Sequence, residues 1–298
     1  METITDKKPA THRYLKLLLK IGVTIACLWY VFGKINLAEA AKTLQKADWV
    51  WLLAAFLIYL TSKIIASKRL NVYFKNLGLA LPYWQNLKLY WLGMFYNLFL
   101  PGAISGDAYK VILLSKKFSI PYKKTTAAVL LDRFSGLLSL GLIVAIYGFL
   151  VVKEKWMIVL LVSGTVASIP SLYFIIKKFF PAFLPGFGST FLLGLAVQIS
   201  VLICIYFILW SLNIHEETNI YIFIFLIAAI ASILPISVGG GLGIRELVII
   251  EGAKYAGLGM QGQHNAFMLS MVFYIVTVAC SLLGIPFVFK SPMESKKV

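Results

Sequence analysis

Six stretches of this chain, residues 14–32, 49–65, 127–152, 156–176, 191–212 and 266–289, stay apolar for close to the roughly 20 residues a helix needs to cross a bilayer. No water-soluble surface accommodates that much apolar length. Composition agrees, with 60% hydrophobic and 13% charged residues against about one quarter charged in a soluble domain. The expectation is an all-α integral membrane protein with six full transmembrane helices. The first stretch is read as a helix and not as a signal peptide, because no small-residue cleavage site follows it and further spans do.

Two more apolar segments, at about 84–114 and 220–251, are interrupted at their centres. The first is broken by Pro101, Gly102, Ser105, Gly106 and Asp107, and the second by Pro235, Gly239, Gly240, Gly241 and Gly243. An unbroken helix over the first would be about 45 Å long at 1.5 Å per residue, too long for one crossing. Pro and Gly remove helical hydrogen bonds and helix propensity together. Irregular backbone at membrane depth persists only where protein packs around it or a water-filled cavity meets it. Both segments are therefore expected to be re-entrant helical hairpins, with Pro101, Gly102, Gly106, Pro235, Gly239, Gly240, Gly241 and Gly243 as hinge positions. Laid over each other with Pro101 on Pro235, Ser105 and Gly106 fall on Gly239 and Gly240, and Lys110 falls one place before Arg245. An internal repeat is the reading.

Basic residues cluster at 7–20, 63–75, 116–124, 177–178 and 290–297, and short basic loops mark the cytoplasmic side. Every strong cluster lands on that side if both broken segments turn back. One hairpin then enters from each side, the inverted-topology arrangement of secondary transporters. The expected order is a cytoplasmic tail at 1–12, one membrane domain at 13–289 and a cytoplasmic tail at 290–298, in the cell membrane. The loop at 33–48 sits awkwardly, being outside yet carrying Lys34, Lys42 and Lys46. The net charge of +16 follows from helix-end lysines facing anionic headgroups, so no nucleic-acid partner is expected.

Ionisable groups inside a membrane are costly and mark function. Those in or beside the breaks are Asp107, Lys110, Asp132, Arg133, Arg245, Glu246 and Glu251. Arg245 and Glu246 follow the glycines at a half-helix start, where free amides favour an anion, and with Lys110 and Arg133 they suit a phosphate. For Arg133, a side chain snorkelling to the interface is the competing reading. Cys27, Cys204 and Cys280 lie in apolar runs without metal-ligand spacing, and the three His lie in the amino-terminal tail and two loops. Neither a P-loop nor a catalytic or metal motif is present. No cofactor, metal or enzymatic activity is expected.

Three motifs in order, Asn97-x3-Pro101-x3-Ser105-Gly106-Asp107-x2-Lys110, Asp132-Arg133-x2-Gly136 and Leu234-Pro-x3-Gly-Gly-x-Leu-Gly-x-Arg245-Glu246, resemble the flippase-like membrane region of lysylphosphatidylglycerol synthases. The resemblance runs from about residue 13 to 289. It implies a domain that moves a phospholipid or polyprenyl-linked lipid between leaflets, with Asn97, Ser105, Asp107, Lys110, Asp132, Arg133, Arg245 and Glu246 around the headgroup. Lys110 stands where the family often has Arg, and Ser105 where it often has Gly, so a phosphate would meet a point charge and not a bidentate fork. No aminoacyl-transfer domain follows residue 290 in this sequence, and synthase activity is not expected of it. The partners implied are a membrane lipid and either a second copy or a separate lipid-modifying enzyme. The alternative is a non-transporting subunit that presents lipid to such an enzyme.

Overall fold

The computed structural model describes residues 37–100, 104–233, 244–290 and 292–293. Every regular element among them is helical: α1 (Leu37–Lys46), α2 (Trp49–Asn76), α3 (Tyr83–Phe99), α4 (Ser105–Phe118), α5 (Tyr122–Val151), α6 (Lys155–Phe179), a 3-10 turn (Pro181–Gly186), α7 (Phe187–Ser211), α8 (Thr218–Ala231), α9 (Ile244–Tyr255), α10 (Met260–Leu282) and α11 (Ile285–Phe289). Five helical stretches, α2, α5, α6, the 3-10 turn with α7, and α10, are long and apolar enough to cross a membrane. They coincide with five of the six expected spans. The first expected span, at residues 14–32, lies outside the described residues, as do Pro101, Gly102, Pro235, Gly239, Gly240, Gly241 and Gly243.

The centre of the molecule is the pairing of α2 with α7, the most extensive helix contact. One stripe of α2 is buried at Leu52, Ala55, Tyr59, Ser62, Ala66, Arg69 and Tyr73, alternating steps of three and four that keep one face of a helix turned inward. That stripe corrects the reading of residues 63–75 as a basic loop. The helix continues to Asn76, about 42 Å in all at 1.5 Å per residue, because small Ser62, Ala66 and Ser67 let it pack closely while Lys68 and Lys75 remain outside. Two other expected loops are helical as well. Residues 37–46 form α1, with Lys42 and Lys46 exposed, and His264 lies exposed in the opening turns of α10. Helix α6 has no buried share in its apolar window, so an apolar surroundings must cover it.

Each interrupted segment is a pair of helices packed on each other, α3 on α4 and α8 on α9. In the first pair, α3 ends at Phe99 and α4 begins at Ser105. The chain doubles back there: a Cβ placed on Gly106 would run into the carbonyl oxygen of Gly93, thirteen residues earlier. On a straight helix those residues would stand about 20 Å apart. Asn97 and Ser105 hold the turn, since Asn97 Oδ1 accepts from the Gly106 amide at 2.8 Å and Ser105 Oγ donates to the Tyr96 carbonyl at 2.6 Å. The two side chains thus satisfy backbone groups that a broken helix leaves open.

Gly106→Ala is expected to destabilise the protein by about 1–3 kcal/mol, the usual cost of overpacking, because the obstacle is backbone and cannot rotate away. Denaturant unfolding in detergent micelles checks this. Stability equal to wild type would mean that α3 and α4 do not cross at these glycines.

Candidate functional site

Asp107 lies in the first turn of α4, where the helix dipole favours a carboxylate. Its two oxygens are shared between two cations. Lys110 Nζ, one turn on, reaches Oδ1 at 2.9 Å, and Arg133 Nε of α5 reaches Oδ2 at 2.5 Å. The path of Lys110 depends on Gly93: any side chain there would collide with the lysine stem. Its ammonium ends 4.9 Å from the centre of the Tyr90 ring.

Asp132 is the neighbour of Arg133, and successive side chains on an α-helix point about 100° apart. It therefore faces a different helix. Arg69 of α2 approaches it with Nε at 2.7 Å from Oδ1 and Nη2 at 3.3 Å from Oδ2. Both side chains are deeply buried, 7% and 11% exposed. Gly136, one turn beyond Asp132, makes room for the guanidinium, since a Cβ there would lie 2.9 Å from Arg69 Nη1. That contact gives the spacing Asp132-Arg133-x2-Gly136 a physical reason. Arg133 itself pairs with Asp107 and keeps 30% of its side-chain surface open.

The second break has its own cluster. Arg245 is buried at the start of α9, with Nη2 2.9 Å from Glu246 Oε1 and Nε donating to Ser270 Oγ of α10 at 3.0 Å. Its guanidinium stacks over the Tyr274 ring at 5.2 Å. Ser270 and Tyr274 are one turn apart on α10, so they present a hydroxyl and a ring face to the same guanidinium. Tyr274 also belongs to the apolar cluster that contains Leu92, Phe95 and Phe99 of α3. The two charged clusters are thus connected through the α3–α10 contact. Glu251, in contrast, forms an exposed pair with Lys254 and stands apart from both.

Of the expected site residues, Asp107, Lys110 and Arg133 form one network, Asp132 adjoins it, and Arg245 with Glu246 forms the other. Asn97 and Ser105 hold the turn between α3 and α4. Arg69 was missed, although the three-and-four spacing of α2 carries it into the buried stripe. Gly93, Ser270 and Tyr274 were missed because nothing in their local sequence sets them apart. A further feature lies beside the second cluster, an apolar cleft of about 880 Å³ between the end of α5 and helices α6, α8 and α9, with Lys153, Glu154 and Glu251 among its lining residues. Among the described residues no group of acidic, His and Cys side chains is placed to hold a metal ion. Cys204 and Cys280 are buried free thiols.

The family description "Lysylphosphatidylglycerol synthase TM region" matches residues 17–284 of this chain. A UPF0104 membrane protein of Pyrococcus horikoshii is 28% identical over 123 residues, 41% of this chain and 36% of that protein. The match spans little more than a third of the relative's length.

Asp132→Asn leaves the Arg69 guanidinium buried without its counter-charge, which costs about 3–5 kcal/mol when one partner of a buried pair is removed. The double change Arg69→Met with Asp132→Leu is expected to recover most of that loss. A double-mutant cycle on micelle unfolding checks it, and a cost under about 1 kcal/mol, as for exposed pairs, would show that the pair is solvated.

Proposed function

Because this multi-pass membrane protein belongs to the Lysylphosphatidylglycerol synthase TM region family, we propose that it carries a lipid from one leaflet to the other. The headgroup passes between the two broken hairpins while the acyl chains remain in the bilayer. One observation carries the reading: each break is followed by a half-helix whose first turns hold buried charge, Asp107 with Lys110 in α4 and Arg245 with Glu246 in α9. Charge at that depth is expensive without a partner or a cargo. In each half the cluster is also tied to the next long helix, through Arg133 of α5 and through Ser270 and Tyr274 of α10.

That correspondence supports the inverted repeat. The hairpins α3–α4 and α8–α9 then enter from opposite sides, and rocking of one half against the other exposes the charged centre to each leaflet in turn. The cations suit a phosphate headgroup. The apolar cleft beside α8 and α9 offers a lateral surface along which an acyl chain follows its headgroup. The process is transport without a covalent step, and the flux is downhill or coupled to an ion. The basic clusters in the sequence support a reading with both termini in the cytoplasm.

The test is dithionite bleaching of liposomes containing the purified protein and fluorescent phospholipids in both leaflets. Bleaching beyond the outer-leaflet share is expected with wild type, and its rate is expected to fall about tenfold or more in Arg133→Ala and Glu246→Gln, the scale of one lost charge-assisted contact. No excess bleaching with anionic, amino and polyprenyl headgroups alike would overturn transport and favour a subunit that presents lipid to a separate enzyme.

A further inference from the structure

Lys63 occupies the middle of α2, fourteen residues from Trp49 and thirteen from Asn76, about 20 Å from either end of the helix. It lies just inside the end of the apolar run 49–65, and a charge within a membrane-spanning segment is costly. No carboxylate within ion-pair distance of it is found among the described residues. Its ammonium rests 4.2 Å from the centre of the Tyr59 ring, and Tyr59 is fixed in turn by Thr277 of α10, whose hydroxyl meets the phenol oxygen at 3.1 Å. A tyrosine ring attracts a cation but does not neutralise it.

Arg69, two turns along the same helix, is also incompletely satisfied. Nε and Nη2 bond Asp132, whereas Nη1 is buried with no hydrogen-bond partner. A native buried donor without an acceptor calls for an explanation, and a ligand absent from the structure is one. Tyr90 of α3 links these groups to Lys110. Lys110 stacks on its ring, and its hydroxyl stands within electrostatic reach of Lys63, Asp132, Lys110 and Arg69. Among the described residues these linked groups comprise four cations, Lys63, Arg69, Lys110 and Arg133, and two carboxylates, Asp107 and Asp132, an excess of two positive charges.

We propose that Lys63, Arg69 and Lys110 form, around Tyr90, a binding site for a phosphomonoester, so that the cargo is a lipid ending in a terminal phosphate. The inference rests on the transport reading and sharpens it. A zwitterionic headgroup would leave the excess charge as it stands, and a phosphodiester would cancel one unit. A phosphomonoester carries about −1.5 to −2 at neutral pH and three acceptor oxygens, enough to neutralise the cluster, accept from Arg69 Nη1 and receive the Lys63 ammonium.

Titration calorimetry of the purified protein in detergent distinguishes these cargos. The probes are dihexanoyl phosphatidate, dihexanoyl phosphatidylglycerol and inorganic phosphate. Phosphatidate is expected to bind about tenfold or more tightly than phosphatidylglycerol, as one extra paired charge requires. Lys63→Gln is expected to erase that preference and Lys63→Arg to keep it. Lys75→Gln, exposed on the same helix, serves as the control and leaves the preference unchanged. Because Lys63 is in no ion pair among the described residues, Lys63→Gln is expected to unfold at the wild-type denaturant concentration. Equal affinity for the two lipids, or a preference that survives Lys63→Gln, overturns the site. Inorganic phosphate binding as tightly as phosphatidate overturns the lipid as its source. Calorimetry does not require transport, so monoester selectivity without dithionite bleaching would sink the transport reading alone, and bleaching without selectivity would sink this site alone.

Discussion

The architecture turns on two adjacent residues of α5. Asp132 and Arg133 diverge by about 100°, so one helix binds α2 through Arg69 and α4 through Asp107 at the same depth. Apolar packing cannot supply that specificity inside a bilayer, where lipid tails compete equally for every leucine. Charged pairs in hydrocarbon are directional and costly to break, and they fix which helices meet and where. The glycines serve the same contacts, Gly136 under the Arg69 guanidinium and Gly93 under the Lys110 stem. Removing a side chain at those positions makes room for a charged one.

The same logic places the breaks. A helix interrupted at membrane depth exposes amides and carbonyls that lipid cannot satisfy. At the first break Asn97 and Ser105 answer those groups directly, while Asp107 sits where the α4 dipole welcomes it. Irregular backbone, close glycine crossing and buried charge therefore occur together because each tolerates the others. A region with that combination is polar, tightly located and surrounded by apolar helices.

The two charged clusters differ in their balance of charge. Around Arg245 one carboxylate, one hydroxyl and one aromatic face attend a single guanidinium. In the network of Lys63, Arg69, Lys110 and Arg133 with Asp107 and Asp132, the cations outnumber the carboxylates among the described residues. A site whose charge is internally balanced holds helices together at little electrostatic cost, whereas an unbalanced one is stable only with an anion bound or nearby.

The sequence by itself determined the membrane class, five of the described spans, both interruptions and the charged residues Asp107, Lys110, Arg133 and Arg245 that attend them. These are legible because apolar runs, Pro and Gly, and buried charge act through local chemistry, which any stretch of chain reveals. It misread residues 63–75, since positive charge usually marks a loop end and outweighed the helical spacing that continues to Tyr73. Only the tertiary structure decided that Arg69 pairs with Asp132, that Arg133 pairs with Asp107, that Asn97 and Ser105 hold a turn, and that Gly93 meets Gly106. Those facts depend on which helices face one another, and helix faces are chosen by the packing of the whole bundle, not by any one segment of it.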